Sequence, residues 1–83
     1  MNNKILITVK VPMIEKEYDI YIPISKNIKV ASDLLVDTIH ELSEGHFPKK
    51  DKVSLLLSDG SMLSNNSTVK ECGLKNGDVI VLI

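Results

Sequence analysis

The sequence predicts an α+β fold in which a mixed sheet of four to five strands carries one helix across one face. Three observations support this prediction: an alternating apolar pattern near the N-terminus, a helical apolar stripe in the middle, and short strand-like stretches between turn residues afterwards. With 83 residues, the chain is expected to form a single domain, 1–83, with a small core. A deep catalytic cleft is not expected at this size.

The first two strands are predicted from alternation. Pro12 ends the first strand, because proline cannot donate to a ladder, and a charged loop, 13–17, leads to a second strand over 18–24. Pro23 places that second strand at a sheet edge. The inward residues are Ile5, Ile7, Val9 and Val11 in the first strand and Ile20, Ile22 and Ile24 in the second.

The middle of the chain predicts one amphipathic helix. Asn27 is a suitable N-cap, and apolar residues then recur at steps of three and four. Gly45 stands where a left-handed C-terminal residue belongs, and Pro48 prevents the helix from resuming. The apolar stripe consists of Ile28, Ala31, Leu35, Ile39 and Leu42.

Shorter elements are predicted in the second half. A strand over 53–57 is followed by a strong turn signal at 58–61 and a short return at Met62. One helical turn is expected over 68–72, and a final strand over 78–83. Hairpin, helix and further strands in one short chain favour a mixed sheet with the helix on one face.

Composition narrows the partners and the compartment. The formal net charge is −1 and all ten basic residues are Lys, so the forked guanidinium that reads phosphate and guanine is absent, and no nucleic-acid partner is expected. Cys72 is the only cysteine, which fits a reducing compartment. No signal peptide or membrane-length apolar run is visible. The sequence therefore predicts a cytoplasmic protein without direct membrane insertion.

The chain resembles the ubiquitin-like (β-grasp) family over nearly its full length. The marker is Val69-x-x-Cys72-Gly73-Leu74 followed by Asn76-Gly77-Asp78 and an apolar strand. This form is most similar to the YukD/EsaB group, which belongs to the type VII (WXG100/ESAT-6-like) secretion systems of Gram-positive bacteria. The resemblance implies a cytosolic accessory or regulatory component that binds other proteins and is not conjugated to them.

The sequence disfavours two alternatives to a binding module. A sulfur carrier or conjugated modifier of this fold needs a C-terminal Gly-Gly, whereas the sequence ends at Ile83, so this alternative is disfavoured. An enzyme is not expected, because the sequence contains no recognisable nucleophile–base pair, metal set or cofactor motif. No catalytic, cofactor-binding or metal-binding residue is therefore predicted.

The cysteine and the histidines are interpreted as structural. Cys72 ends a short turn, where the helix dipole disfavours a thiolate, and its apolar neighbours predict packing. His40 is predicted to be a solvated helix side chain, since no second His or Cys shares its face at ligand spacing. His46 is expected to make a cap or loop contact. The acidic stripe favours a solvated face, with an acidic docking face for a basic partner as the alternative; it comprises Asp33, Asp37, Glu41 and Glu44.

The outward face of the sheet is the predicted protein-binding surface. If the inward residues pack on the helix, the alternating residues point away from it and form an apolar patch, and such a patch marks an interface. The register of 53–57 stays open, and at least one of its three leucines joins the patch. The partner is another protein, such as a secretion-system component, or a second copy. The candidate residues are Leu6, Tyr21, Leu57, Val81 and Ile83.

A substitution test follows from this assignment. Replacing Val81 or Leu57 with Asp is predicted to abolish partner capture while leaving the fold intact, because both side chains are assigned to the outward face.

Overall fold

A computed structural model describes residues 3–83, and its first elements form a hairpin. Strands β1, Lys4–Val11, and β2, Lys16–Pro23, pair antiparallel over their full lengths. A 3-10 turn, Pro12–Ile14, connects them and closes through Glu15 at a φ of 54°. β1 ends before Pro12 as predicted. β2 begins earlier than predicted, because Lys16 still pairs with the last residue of β1.

Helix α1, Ile28–Leu42, begins at the predicted cap. The side-chain Oδ1 of Asn27 accepts the N–H of Val30 at 2.9 Å, which satisfies one of the free donors of the first turn. The helix buries one stripe on the sheet: Ile28, Ala31, Ser32, Leu35, Val36 and Ile39. Leu42 was predicted in this stripe but is 54% exposed, since it lies at the last helical residue beside an open groove.

The helix ends in a left-handed turn. Glu44 and Gly45 have φ angles of 54° and 84°, and the N–H of Gly45 donates to the carbonyl of His40 at 2.8 Å. This bond satisfies one of the carbonyls left free at the helix end. The left-handed conformation predicted for Gly45 is confirmed, and Glu44 adopts it too.

The last two strands complete a four-stranded mixed sheet in the order β2-β1-β4-β3. Strand β3, Leu55–Leu57, pairs antiparallel with β4, Val79–Leu82, and β4 runs parallel to β1. Two backbone hydrogen bonds of 2.9 and 3.0 Å between Ser54 and Ile83 extend the β3–β4 pair beyond its last ladder residues. The parallel pair lies in the middle of the sheet, and α1 provides the crossover between the two edge strands, β2 and β3.

The segment between β3 and β4 is held by short-range polar contacts. Asp59 accepts both the N–H and the hydroxyl of Ser61, and these bonds lower the pKa of the Asp59 carboxyl. In the predicted turn over 68–72, Thr68 and Glu71 each accept the other's backbone N–H, at 3.0 and 2.8 Å. This reciprocal capping box fixes the turn that carries the buried side chain of Val69.

One continuous core fills the space between α1 and the sheet. Its fully buried side chains include Ile7, Val9, Ile80 and Leu82 from the sheet, together with Phe47 from the loop after α1. The sequence pattern did not identify Phe47, because a lone aromatic residue in a loop has no periodicity. Within residues 3–83, no helix has both the length and the apolar character needed to cross a membrane.

Candidate protein-interaction face

The register of the strands determines which side chains share the outer face, the side of the sheet opposite α1. Side chains of directly paired residues point the same way, so each pairing defines one row across the sheet. The rows are Tyr21–Leu6, Asp19–Thr8–Val79 and Glu17–Lys10–Val81–Leu56. In the second and third rows, the residues from β1 and β2 are polar or charged.

The structure corrects the assignment of Leu57 to this face. Leu57 pairs with Ile80, which is fully buried, and its side chain packs against the core. Leu56 pairs with Val81 and therefore points outward. The sequence could not distinguish the two, because three successive leucines fit either phase of a strand and a shift of one residue exchanges the faces.

Outward-facing apolar residues of β3 and β4, and of the chain directly beside these strands, form a cluster, which we call the β3–β4 patch: Leu56, Met62, Val81 and Ile83. Met62 forms an isolated antiparallel bridge with Leu56, which places it on the same face, and its side chain is 66% exposed. Ile83 is 50% exposed. Two predicted residues, Val81 and Ile83, thus lie in the patch. Met62 was not a candidate, because the sequence predicts a short return at this residue but not its register against β3.

The other two predicted residues lie across the sheet from this patch. Leu6 and Tyr21 are directly paired, and Tyr21 is 61% exposed. On β1 and β2, Thr8 and Asp19 lie between them and the patch, and the hydroxyl of Thr8 donates to the carboxylate of Asp19 at 2.7 Å. On β4 the same row ends in the apolar Val79. The predicted set therefore falls into two areas, with Val79 as the apolar residue between them.

The Asn76-Gly77 turn fixes the position of Leu6. The Oδ1 of Asn76 accepts the N–H of Leu6 at 2.7 Å, and the N–H of Gly77 donates to the carbonyl of Leu6 at 2.8 Å. Gly77 has a φ of 87°, a conformation that favours glycine. The marker motif in the sequence thus has a structural task, which is to anchor the loop before β4 against β1.

The two histidines hold the loop that follows α1. The Nδ1 of His40 donates to the carbonyl of Phe47, and the Nδ1 of His46 donates to the carbonyl of Ser43, each at 2.7 Å. A carbonyl can only accept, so each Nδ1 carries the proton. His46 makes the predicted loop contact. The prediction of a solvated His40 is wrong, because its ring is part-buried and bonded to the backbone.

The acidic stripe of α1 is exposed along its length. Lys29 and Asp33 form an ion pair of 3.0 Å, with both side chains more than half exposed, so it contributes little to stability. Over residues 3–83, no group of three or more His, Cys, Asp or Glu side chains is arranged to hold a metal ion.

We predict that the Cys72 thiol alkylates slowly in the folded protein. The pKa of this thiol is raised above its ordinary 9.0, mainly by partial burial and to a smaller extent by the negative charge of Glu71. A raised pKa favours the folded state below pH 9.0, and that contribution is lost as the pH rises through the folded-state value. Iodoacetamide labelling at pH 8 should therefore be slower than in urea-unfolded protein. A faster rate in the folded protein would show an activated thiol.

The chain was compared with known protein families and with curated proteins. The family model described as "WXG100 protein secretion system (Wss), protein YukD" matches residues 6–82. No curated protein matches. The matched range includes all four strands and α1 except the first two residues of β1.

Solved structures share the fold at low sequence identity. The ubiquitin-like domain of the Mycobacterium tuberculosis type VII secretion system protein ECCD1 is 14% identical, with a TM-score of 0.76 and coverage of 100% of this chain and 99% of that one. The EccD5 ubiquitin-like domain from Mycobacterium xenopi is 18% identical, with a TM-score of 0.81 and coverages of 99% and 94%. These likenesses confirm the predicted α+β, ubiquitin-like fold.

A larger assembly also contains a similar domain. A chain in the MycP5-free ESX-5 inner membrane complex is 16% identical, with a TM-score of 0.81, and the match covers 99% of this chain. This chain spans 21% of the length of that component. The resemblance is therefore to one domain of a longer membrane-complex protein.

Proposed function

The chain belongs to the YukD family of the WXG100 protein secretion system, and from this premise we propose that it is a non-conjugated protein-interaction module of a bacterial type VII secretion system. Its role is that of an accessory or regulatory component, as in the YukD/EsaB group of Gram-positive bacteria, and it acts in the cytoplasm. The single observation that carries the proposal is the β3–β4 patch on the outer face.

The physical argument is the cost of leaving this patch in water. Met62 exposes more than half of its surface and Ile83 exposes half. Leu56 and Val81 are paired directly with each other and lie between them. Burial of apolar surface contributes about 25 cal/mol per Å². A partner that covers the patch gains this energy without disturbing the core, whose own contacts lie on the other face of the sheet.

The side chains that carry chemistry support binding over catalysis. His40 and His46 are committed to backbone carbonyls, and burial keeps Cys72 in its thiol form. The similar domains in EccD proteins and in the ESX-5 inner membrane complex favour a secretion-system component as the partner. Self-association through the patch is the alternative partner choice.

We predict that a photo-crosslinking residue at Val81 captures a secretion-system component in the native host, because this position lies inside the patch. The same residue at exposed Glu41, on the opposite side of the domain, serves as the matched control. The added change Leu56→Asp should abolish the adduct at position 81, while the circular dichroism spectrum stays that of the folded protein. Equal adducts at both positions, or an adduct that survives Leu56→Asp, would refute the assignment of the patch.

A further inference from the structure

The free edge of β2 is a second surface with binding capacity. β2 is the outermost strand of the sheet, and Ile24 just beyond it donates its N–H to Asn3 of the preceding strand segment at 2.9 Å. Residues whose backbone groups bond to the partner strand alternate in an antiparallel pair, so the N–H and C=O groups of the even-numbered residues of β2 point toward β1. The N–H and C=O groups of Glu17, Asp19 and Tyr21 consequently point away from β1, within the plane of the sheet.

No described residue covers this edge with backbone hydrogen bonds. Within residues 3–83, no backbone group outside the β1–β2 pair bonds to residues 17–21. The strand has eight residues, which is long for an exposed edge, and its only proline is at the last position. A long edge with unpaired donors and acceptors is a template for another strand.

An apolar groove lies beside this edge on the α1 side. It has a volume of about 530 Å³ and runs between the start of β2 and the end of the helix. Its apolar lining comes from Ile14, Tyr18 and Leu42, and Leu42 is 54% exposed. Side chains on one face of an added strand would enter this groove, because they point to the same side as Tyr18.

The other face of the edge is acidic. Glu17 and Asp19 are both exposed on the outer face, two positions apart. If two copies of β2 paired antiparallel with their helices on one side, the three central registers would place Asp19 opposite Asp19, Glu17 opposite Asp19, or Tyr21 opposite Asp19. The first two set like charges directly opposite, which destabilises a pair, and none sets a basic residue opposite an acidic one on this face. A basic strand therefore complements this edge better than a second copy does.

We propose that an extended segment of another protein adds antiparallel to β2 as a further strand. In that segment, lysine or arginine residues alternate with aliphatic ones. The basic residues lie opposite Glu17 and Asp19 and exchange backbone hydrogen bonds with them, and the aliphatic residues fill the groove at Tyr18 and Leu42. This surface is separate from the β3–β4 patch, and the proposal stands independently of it.

The probe for the test is a capped seven-residue peptide of alternating lysine and valine. Binding should slow amide hydrogen exchange at Glu17, Asp19 and Tyr21 by about tenfold or more at saturation, because their N–H groups become hydrogen-bonded. One control peptide carries glutamate in place of lysine. A second carries N-methyl groups at the lysine amides, which keeps charge and side chains but removes the donors. Both should lose the protection.

Matched protein variants complete the experiment. Asp19→Lys should weaken the lysine probe about tenfold or more and favour the glutamate probe, whereas Asp19→Asn keeps an acceptor for Thr8 and serves as the folding control. Val81→Asp should leave probe binding unchanged. Absence of protection at the three amides, or equal binding of the N-methylated probe, would overturn the proposal. Protection that instead grows with protein concentration would assign the edge to a second copy.

Discussion

Phe47→Ala is expected to destabilise the protein by about 3–5 kcal/mol, the range for deleting a fully buried aromatic ring. Phe47 is 1% exposed and packs in the core from the loop after α1. Its backbone is held too, because its N–H donates to the Ser43 hydroxyl at 2.9 Å and its carbonyl accepts from His40. A domain of this size has roughly 4–12 kcal/mol of stability in total, so the change threatens folding itself.

Urea denaturation followed by circular dichroism measures this loss. Leu42→Ala is the matched control, since Leu42 lies just before the same loop but is 54% exposed, and it should cost less than about 1 kcal/mol. Phe47→Leu should fall between the two, because leucine refills part of the cavity. An equal cost for Phe47→Ala and Leu42→Ala would contradict the anchoring role of Phe47.

Much of the fold was predictable because local signals and long-range packing agree. The alternation of the first two strands, the N-cap at Asn27 and the left-handed Gly45 each follow from local sequence, and the structure confirms them. The last strand was also placed on its correct faces, with Ile80 and Leu82 buried. In the strands, an apolar period of two residues matches a single buried face, and the two helix ends are signalled by residue type.

The remaining features depend on contacts that no apolar periodicity signals. Phe47 and His40 interact across the helix end, which no periodicity signals. Met62 joins the outer face only through its bridge to Leu56. The capping box of Thr68 and Glu71 is different, because the Thr-x-x-Glu spacing is visible in the sequence and could have been used to define that turn.

The division of the outer face follows from the same register. The sequence shows polar residues at alternate positions of β1, but not which residues of the neighbouring strands lie beside them. Once aligned, Thr8 and Lys10 separate the Leu6–Tyr21 pair from the β3–β4 patch along β1, and Val79 is the apolar residue beside Thr8 on β4. The binding surface that we propose on this face is therefore smaller than the sequence suggested, and it lies mainly beside the last two strands of the sheet.

The register of β3 makes the sharpest prediction about stability, which is that Leu57→Asp unfolds the domain and Leu56→Asp does not. Both leucines are half-buried, so exposure alone does not separate them; they differ in the face to which they point. Asp at position 57 would direct a carboxylate at the core beside Ile80. We expect a cost of about 3 kcal/mol or more, from lost apolar burial and from desolvation of the charge.

Asp at position 56 would point into solvent beside Val81 and should cost only about 1 kcal/mol, since aspartate is a poor strand former. Urea denaturation of the two variants measures the difference, and Leu57→Asn tests how much of it comes from charge. Because Leu57→Asp is expected to unfold the domain, a loss of partner binding in this variant would not identify a binding residue. Equal destabilisation by both Asp variants, or a larger effect at 56, would show that β3 has the opposite phase.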